Sequence, residues 1–192
     1  MADPAGMSAE TLLTANDLWS LPDADLPHEL VRGVLHHVMP AAAAHGSVVS
    51  RVQGALAAHV YPRGLGELFS ESTGFLLERH PDTVRCPDVA FVASRRLPTG
   101  GLGSGFAELA PDLAVEVVSE DDRRSGVMNK VADYLRLGVR CVWVLFPAER
   151  SVHIFGAGGS ERVVDERGTL PGGDILPGFS VPVASLFSGL RR

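Results

Sequence analysis

The chain has 192 residues, of which 45% are hydrophobic and 21% charged, and a formal net charge of −6; this is the size and composition of one globular domain with a single core, and two full domains do not fit. The acidic balance argues against a protein that coats nucleic acid non-specifically, because phosphate binding is driven by clustered Lys and Arg. Any such binding is left to Arg residues grouped on one face, and the candidates are Arg51, Arg63, Arg95, Arg96, Arg123 and Arg124.

No sustained apolar run reads as a membrane span, and no basic start followed by an apolar stretch reads as a signal peptide. The two cysteines, Cys86 and Cys141, lie in apolar strand-like runs and read as small core residues rather than a disulfide framework or zinc site. A cytoplasmic location is therefore expected.

Residues 1–13 are Ala- and Ser-rich and are expected to be loosely ordered, so the domain is expected to span 14–192. Asn16 or Asp17 could cap a short helix that runs to Leu21 and ends at Pro22. The runs 29–31 and 34–38 flank Arg32-Gly33, which predicts a hairpin. From His45 to Val60, Val48, Val49, Val52, Leu56 and Val60 recur at spacings of three and four and predict an amphipathic helix, stopped by Pro62 and Gly64. Strands are expected at 67–71, 74–78 and 84–93, with Pro81-Asp82 as a turn between the last two. The glycines of 98–105 lack the spacing and setting of a dinucleotide fingerprint and read as a loop.

Leu113 to Val118 is apolar except for Glu116 and predicts a strand covered on both faces. A helix over about 125–137 and a buried strand over 141–146 follow, the order of a crossover within a mixed sheet. Runs at 151–155 and 161–164 predict a second hairpin, and the Gly/Pro-rich tail is expected to tuck back through Val181-Pro182-Val183 and Leu186-Phe187.

Glu116 is the most informative residue, since an ionised carboxylate among Leu113, Ala114, Val115, Val117 and Val118 is costly unless paired or bound to a metal. A salt bridge to a cation, or a carboxylic acid with a raised pKa, is the structural alternative. Asp88 follows Pro87 at the start of an apolar strand; alone it reads as a turn residue, but two adjacent strands can aim two carboxylates at one point, and hard Mg²⁺ prefers oxygen ligands. The main-chain carbonyl of Val117 could supply a third oxygen. Lys130 falls beside the apolar stripe Val127, Val131 and Leu135 on the next helix, so its stem can be buried; it either snorkels at the edge of a packed face or places its ammonium at the site.

Pro87-Asp88, Glu116 in an apolar strand, and a lysine on the following helix resemble the PD-(D/E)xK restriction-endonuclease-like superfamily. Its usual lysine stands two residues after the second acid, where this chain has Val118, so the resemblance requires a lysine that has migrated to Lys130. That migration is characteristic of the Uma-type endonuclease family, and the surrounding text is similar to it at His28-Glu29-Leu30-Val31-Arg32-Gly33, at Ala44-His45, at Cys86-Pro87-Asp88-Val89, from Pro111 to Ser119, at Lys130-Val131-Ala132-Asp133-Tyr134, at Val142-Trp143-Val144 and at Leu176-Pro177-Gly178-Phe179. Phe146 departs from it, since an aspartate is expected before the proline.

The resemblance implies an α/β domain with a mixed central β-sheet flanked by helices. It implies a Mg²⁺-dependent (or Mn²⁺-dependent) endonuclease acting on nucleic acid, DNA foremost, with Asp88, Glu116 and Val117 at the metal and Lys130 beside it, and it is compatible with a homodimer. Glu29 and His45 enter the site by resemblance alone; unaided, Glu29 reads as a strand-edge ion-pair residue and His45 as a helix-start cap or carboxylate partner. His36, His37, His59, His80 and His153 show no metal-ligand spacing. Two other readings remain open from the residues themselves: a catalytically silent binding module on the same fold, and a structural subunit in which the acids and the lysine form an internal ion-pair network.

Overall fold

The computed structural model describes residues 12–21, 28–38, 42–120, 122–156 and 158–190. Most of the N-terminal stretch expected to be loosely ordered lies outside them; within it, the Leu13 N–H donates to the Gly33 carbonyl at 2.8 Å. Helix α1 (Ala15–Trp19) is capped by Thr14 rather than by Asn16 or Asp17. Asp17 is instead the third helical residue and returns the bond to the Thr14 N–H, which completes a capping box. The expected hairpin forms as β1 (His28–Val31) and β2 (Val34–His37).

Helix α2 (Ala43–Val60) buries Val48, Val49, Val52, Leu56 and Val60 along the predicted stripe. It is followed by β3 (Gly66–Ser70) and β4 (Phe75–Glu78). The strand expected over 84–93 is two strands, β5 (Thr83–Arg85) and β6 (Val89–Ala93), in different sheets. Pro87 accounts for the break, because it lacks the N–H that a continuous ladder would use. This correction matters, since Asp88 then sits at the junction of two sheets instead of inside one strand.

Strand β7 (Leu113–Val117), helix α3 (Arg124–Arg136) and strand β8 (Cys141–Phe146) form the crossover, with β7 and β8 parallel. The hairpin of β9 (Ser151–Gly156) and β10 (Glu161–Val164) extends the sheet. The tail adds a small ribbon of β11 (Thr169–Pro171) and β12 (Ser180–Pro182), which the sequence reading did not resolve as strands, and the short α4 (Val183–Leu186).

The central sheet has the order β10-β9-β8-β7-β6-β3 and is antiparallel except at β7-β8. A four-stranded sheet, β2-β1-β5-β4, stands beside it. The result is a single mixed α/β domain with helices flanking the central sheet. Strand alternation splits β7 between two cores: Leu113, Val115 and Val117 pack with α2 and the tail, whereas Ala114 faces α3 through Val127, Val131 and Tyr134. Glu116 shares the parity of Ala114, so the fold delivers it to the α3 face. Among the described residues, no helix is long and apolar enough to cross a membrane.

Candidate active site

Asp88 is held at the mouth of the gap between the two sheets. Its Oδ2 accepts the Val117 N–H at 2.6 Å and lies 3.2 Å from His45 Nε2 at the start of α2. Beyond the paired residues Val89↔Val115, β7 has no partner on the β6 side, which leaves the Val117 backbone free to serve Asp88. The hydrogen bond to Asp88, with the added field of Glu71 and Asp122, holds the His45 imidazole above its ordinary pKa even though burial opposes this.

Glu116 lies deeper. Its Oε1 accepts the Tyr134 hydroxyl at 2.7 Å and its Oε2 meets Lys130 Nζ at 3.2 Å. Lys130 and Tyr134 are one turn apart on α3, so a single helical face grips both carboxylate oxygens. Burial pushes the Glu116 carboxyl up to about 7; Lys130 opposes the shift, and the charges of Asp88 and Glu29 add to it. Lys130 also reaches Glu29 Oε1 at 3.2 Å. Burial pulls its ammonium pKa down, but Glu116 and Glu29 outweigh burial and raise it, so Lys130 is a cation throughout the neutral range.

Glu29, on β1, accepts Arg85 at 2.8 Å and the Cys86 N–H at 3.0 Å. Burial would raise its pKa, yet Lys130, Arg85 and the Cys86 N–H together lower it. Arg85 is anchored on its other side by Asp133 of α3. The chain therefore holds a continuous, partly buried network, Asp133-Arg85-Glu29-Lys130-Glu116-Tyr134, with Asp88 and His45 at its open end.

The structure thus brings Asp88, Glu116, Lys130, Glu29 and His45 into one locality, from β1, α2, the β5–β6 junction, β7 and α3. Sequence reasoning missed Arg85 and Asp133 as network members and named Tyr134 only within the Lys130–Tyr134 stretch that carries the family resemblance. Arg85 was hidden because it lies in a run read as an uninterrupted strand; an Arg in such a run, like Glu116, asks for a buried counter-charge. Of the arginines considered for a basic face, Arg96 is committed to Asp112 at 3.1 Å and Arg124 to Glu149 at 2.9 Å. Phe146, where an aspartate was expected, is buried beneath Arg124, whose guanidinium carbon lies 4.8 Å from the ring centre.

Among the described residues, no group of three or more His, Cys, Asp and Glu closes around a point as a complete metal cage. What the site offers suits a hard divalent ion that keeps several waters and takes only one or two carboxylates from the protein. The two carboxylates repel each other, as the upward pull of Asp88 on Glu116 records, and a cation between them would relieve that cost. On an extended strand the N–H and C=O of one residue project to the same side, so the Val117 carbonyl shares the side of its N–H, which reaches Asp88.

The family model described as "Uma2: Putative restriction endonuclease" matches residues 15–184. The chain belongs to the Uma2 family. No curated protein matches it. Among solved structures, a "putative nuclease belonging to DUF820" from Anabaena variabilis ATCC 29413 is similar at a TM-score of 0.81, with 20% identity over 92% of this chain and 98% of that one. At that identity the likeness establishes the fold, and membership of the Uma2 family supports nuclease function in general terms.

Proposed function

We propose that this Uma2 member is a Mg²⁺-dependent endonuclease of the PD-(D/E)xK type that hydrolyses DNA phosphodiester bonds, with Mn²⁺ able to substitute. The observation that carries the reading is the convergence of Asp88, Glu116 and Lys130, with Glu116 buried and its charge incompletely compensated. Asp88, Glu116 and the Val117 carbonyl would hold the metal, which when bound supplies Lewis-acid polarisation of the phosphate and a water of lowered pKa.

The chain's own groups do the rest. Glu116 must be deprotonated to act, and Tyr134 and Lys130 favour that form by donating to its two oxygens. Lys130 presents a fixed positive charge where negative charge gathers on the phosphoryl oxygens in the transition state. Glu29 and Arg85 set the position of that ammonium, since Glu29 is tied to both. His45 orients Asp88 from the opposite side. We place the protein in the cytoplasm, a reading supported by two thiols that are not cross-linked; a homodimer carrying two such centres would cut both strands of a duplex.

Supercoiled plasmid, linear duplex and RNA incubated with Mg²⁺, Mn²⁺ or chelator test the proposal. Nicking and linearisation of plasmid under Mg²⁺, abolished by chelator, is the expected result. Degradation of RNA alone, or of linear ends alone, would displace the DNA or the endonuclease assignment.

A second reading, a catalytically silent module, draws on one observation. Lys130 is already shared between Glu29 and Glu116, so its ammonium is paired without a ligand. Calorimetric titration separates the two: a silent module shows no saturable Mg²⁺ or Mn²⁺ binding, and an active site shows binding that Asp88→Asn weakens at least tenfold.

A further inference from the structure

We infer that His28 and His37 form a binding site for a borderline divalent transition ion, Zn²⁺, Ni²⁺ or Cu²⁺, on the face of the β1–β2 hairpin opposite the candidate active site. The two histidines are nine residues apart in sequence and show no metal-ligand spacing there. The hairpin register makes them direct cross-strand partners, His28↔His37. Their ring centres stand 4.6 Å apart with the planes at 63°.

That separation is what a shared ion requires. A metal–nitrogen bond of about 2.0–2.1 Å puts the ion roughly 3.2 Å from each ring centre, so two imidazoles on one ion have centres about 4.5 Å apart at a right-angled N–metal–N and about 5.2 Å apart at a tetrahedral one.

A second, independent observation points the same way. His28 Nδ1 is fully buried and has no hydrogen-bond partner among the described residues. A buried ring nitrogen without a partner is costly and calls for an unseen water or ion. Imidazole nitrogen is a ligand for zinc, nickel and copper rather than magnesium, so this site and the carboxylate site select different ions. Two protein ligands leave the remaining positions to water, which reaches them from the exposed His37 side. Its location gives it a structural consequence: the ion ties β2 to β1, and β1 carries Glu29 into the Lys130 network on the other face.

The test uses full-length, untagged protein in an Asp88→Asn background, which removes the carboxylate site from the readout. Zn²⁺ at about a hundred times its dissociation constant should raise the melting temperature by about 5 °C or more. His37→Gln, at an exposed position, should abolish that rise while leaving the ion-free melting temperature within about 1 °C. Cu²⁺ electron paramagnetic resonance provides a check independent of stability: hyperfine structure from two imidazole nitrogens in the parent should fall to one or none in His37→Gln.

Absence of saturable Zn²⁺, Ni²⁺ and Cu²⁺ binding would overturn the site and leave the rings as an edge-to-face pair. Binding that survives His37→Gln undiminished would overturn it as well.

Discussion

Two buried carboxylates bracket the apolar stretch of β7, and their surroundings differ in a way that separates structure from chemistry. Asp112, just before the strand, is fully buried and is met by Arg140 at 3.0 Å, Arg96 at 3.1 Å and the Ala93 N–H at 2.9 Å. Burial would raise its pKa, but those donors together hold it below the usual carboxylate range. Glu116, at the other end, shares a single lysine with Glu29 and faces the charge of Asp88, and burial pushes it up to about 7. One end of the strand is electrostatically closed; the other is short of positive charge. A deficit of that kind is what a catalytic cation site requires and a structural ion pair does not.

The largest effect that could break this contrast is on catalysis. Lys130→Met should lower Mg²⁺-dependent cleavage by about a hundred- to a thousandfold while metal binding persists, because it deletes one charge-stabilising group from the transition state. Its melting temperature should fall as well, since Glu29 and Glu116 lose a shared cation. Glu116 can limit that fall by taking up a proton, which its raised pKa makes easy. Plasmid cleavage and calorimetry on the same preparation check both parts. Wild-type cleavage by the Met variant would remove Lys130 from the proposed machinery.

At the closed end the order of effects should reverse. Asp112→Ala leaves Arg96, Arg140 and the Ala93 N–H without their acceptor and should destabilise the fold by about 2–4 kcal/mol, somewhat less than a fully buried broken pair because both arginines are partly exposed. Cleavage per folded molecule should stay within about twofold of wild type. Denaturant titration beside active-site-normalised rates would show it, and a catalytic loss larger than the loss of folded protein would mean that the two ends of β7 are coupled.

How much of this contrast is legible in the sequence follows from the range of each interaction. Glu116 stood out because its neighbours in sequence are its neighbours in the strand, and the stripe on α3 placed Lys130 at the edge of a packed face. The two helices and the parallel crossover were legible for the same reason, since periodicity is local. The link from Glu29 through Arg85 to Asp133 was not legible, because it depends on how the four-stranded sheet docks beside α3. The split of 84–93 was foreshadowed by Pro87, yet apolar residues on both sides of it masked the break. His28 and His37 face each other only through hairpin register, which spacing along the chain does not display.

The pH dependence of stability should have opposite signs at the two ends. In chelator, the folded state holds the Glu116 proton up to about pH 7 while the unfolded chain releases it near 4.5. Its stabilising contribution is therefore complete below pH 4.5 and is lost as pH rises through 7. Relative to Glu116→Gln, wild type should lose about 1–3 kcal/mol across that window, and Mg²⁺ added above pH 7 should restore much of it. Asp112 behaves the other way: its contribution is present above 3.8 and is lost as pH falls through its lowered folded pKa. Equal pH profiles for wild type and Glu116→Gln would mean that Glu116 is as well compensated as Asp112.

The smallest expected effect belongs to Tyr134, and it is the most discriminating. Its hydroxyl is fully buried and donates to Glu116 Oε1 at 2.7 Å, so Tyr134→Phe removes one hydrogen bond with almost no change in shape. A bond to a carboxylate contributes about 1.5–3 kcal/mol when the carboxylate is ionised, and less when Glu116 is protonated. The Phe variant should therefore match wild type in stability near pH 5 and fall behind it by about 1–2 kcal/mol at pH 8. The same lost bond should move the acid limb of the cleavage profile to higher pH, because Glu116 then needs a higher pH to ionise. A Phe variant destabilised equally at both pH values, with its cleavage profile unmoved, would make Tyr134 a packing residue and leave Lys130 as the one donor that holds Glu116 in its ionised form.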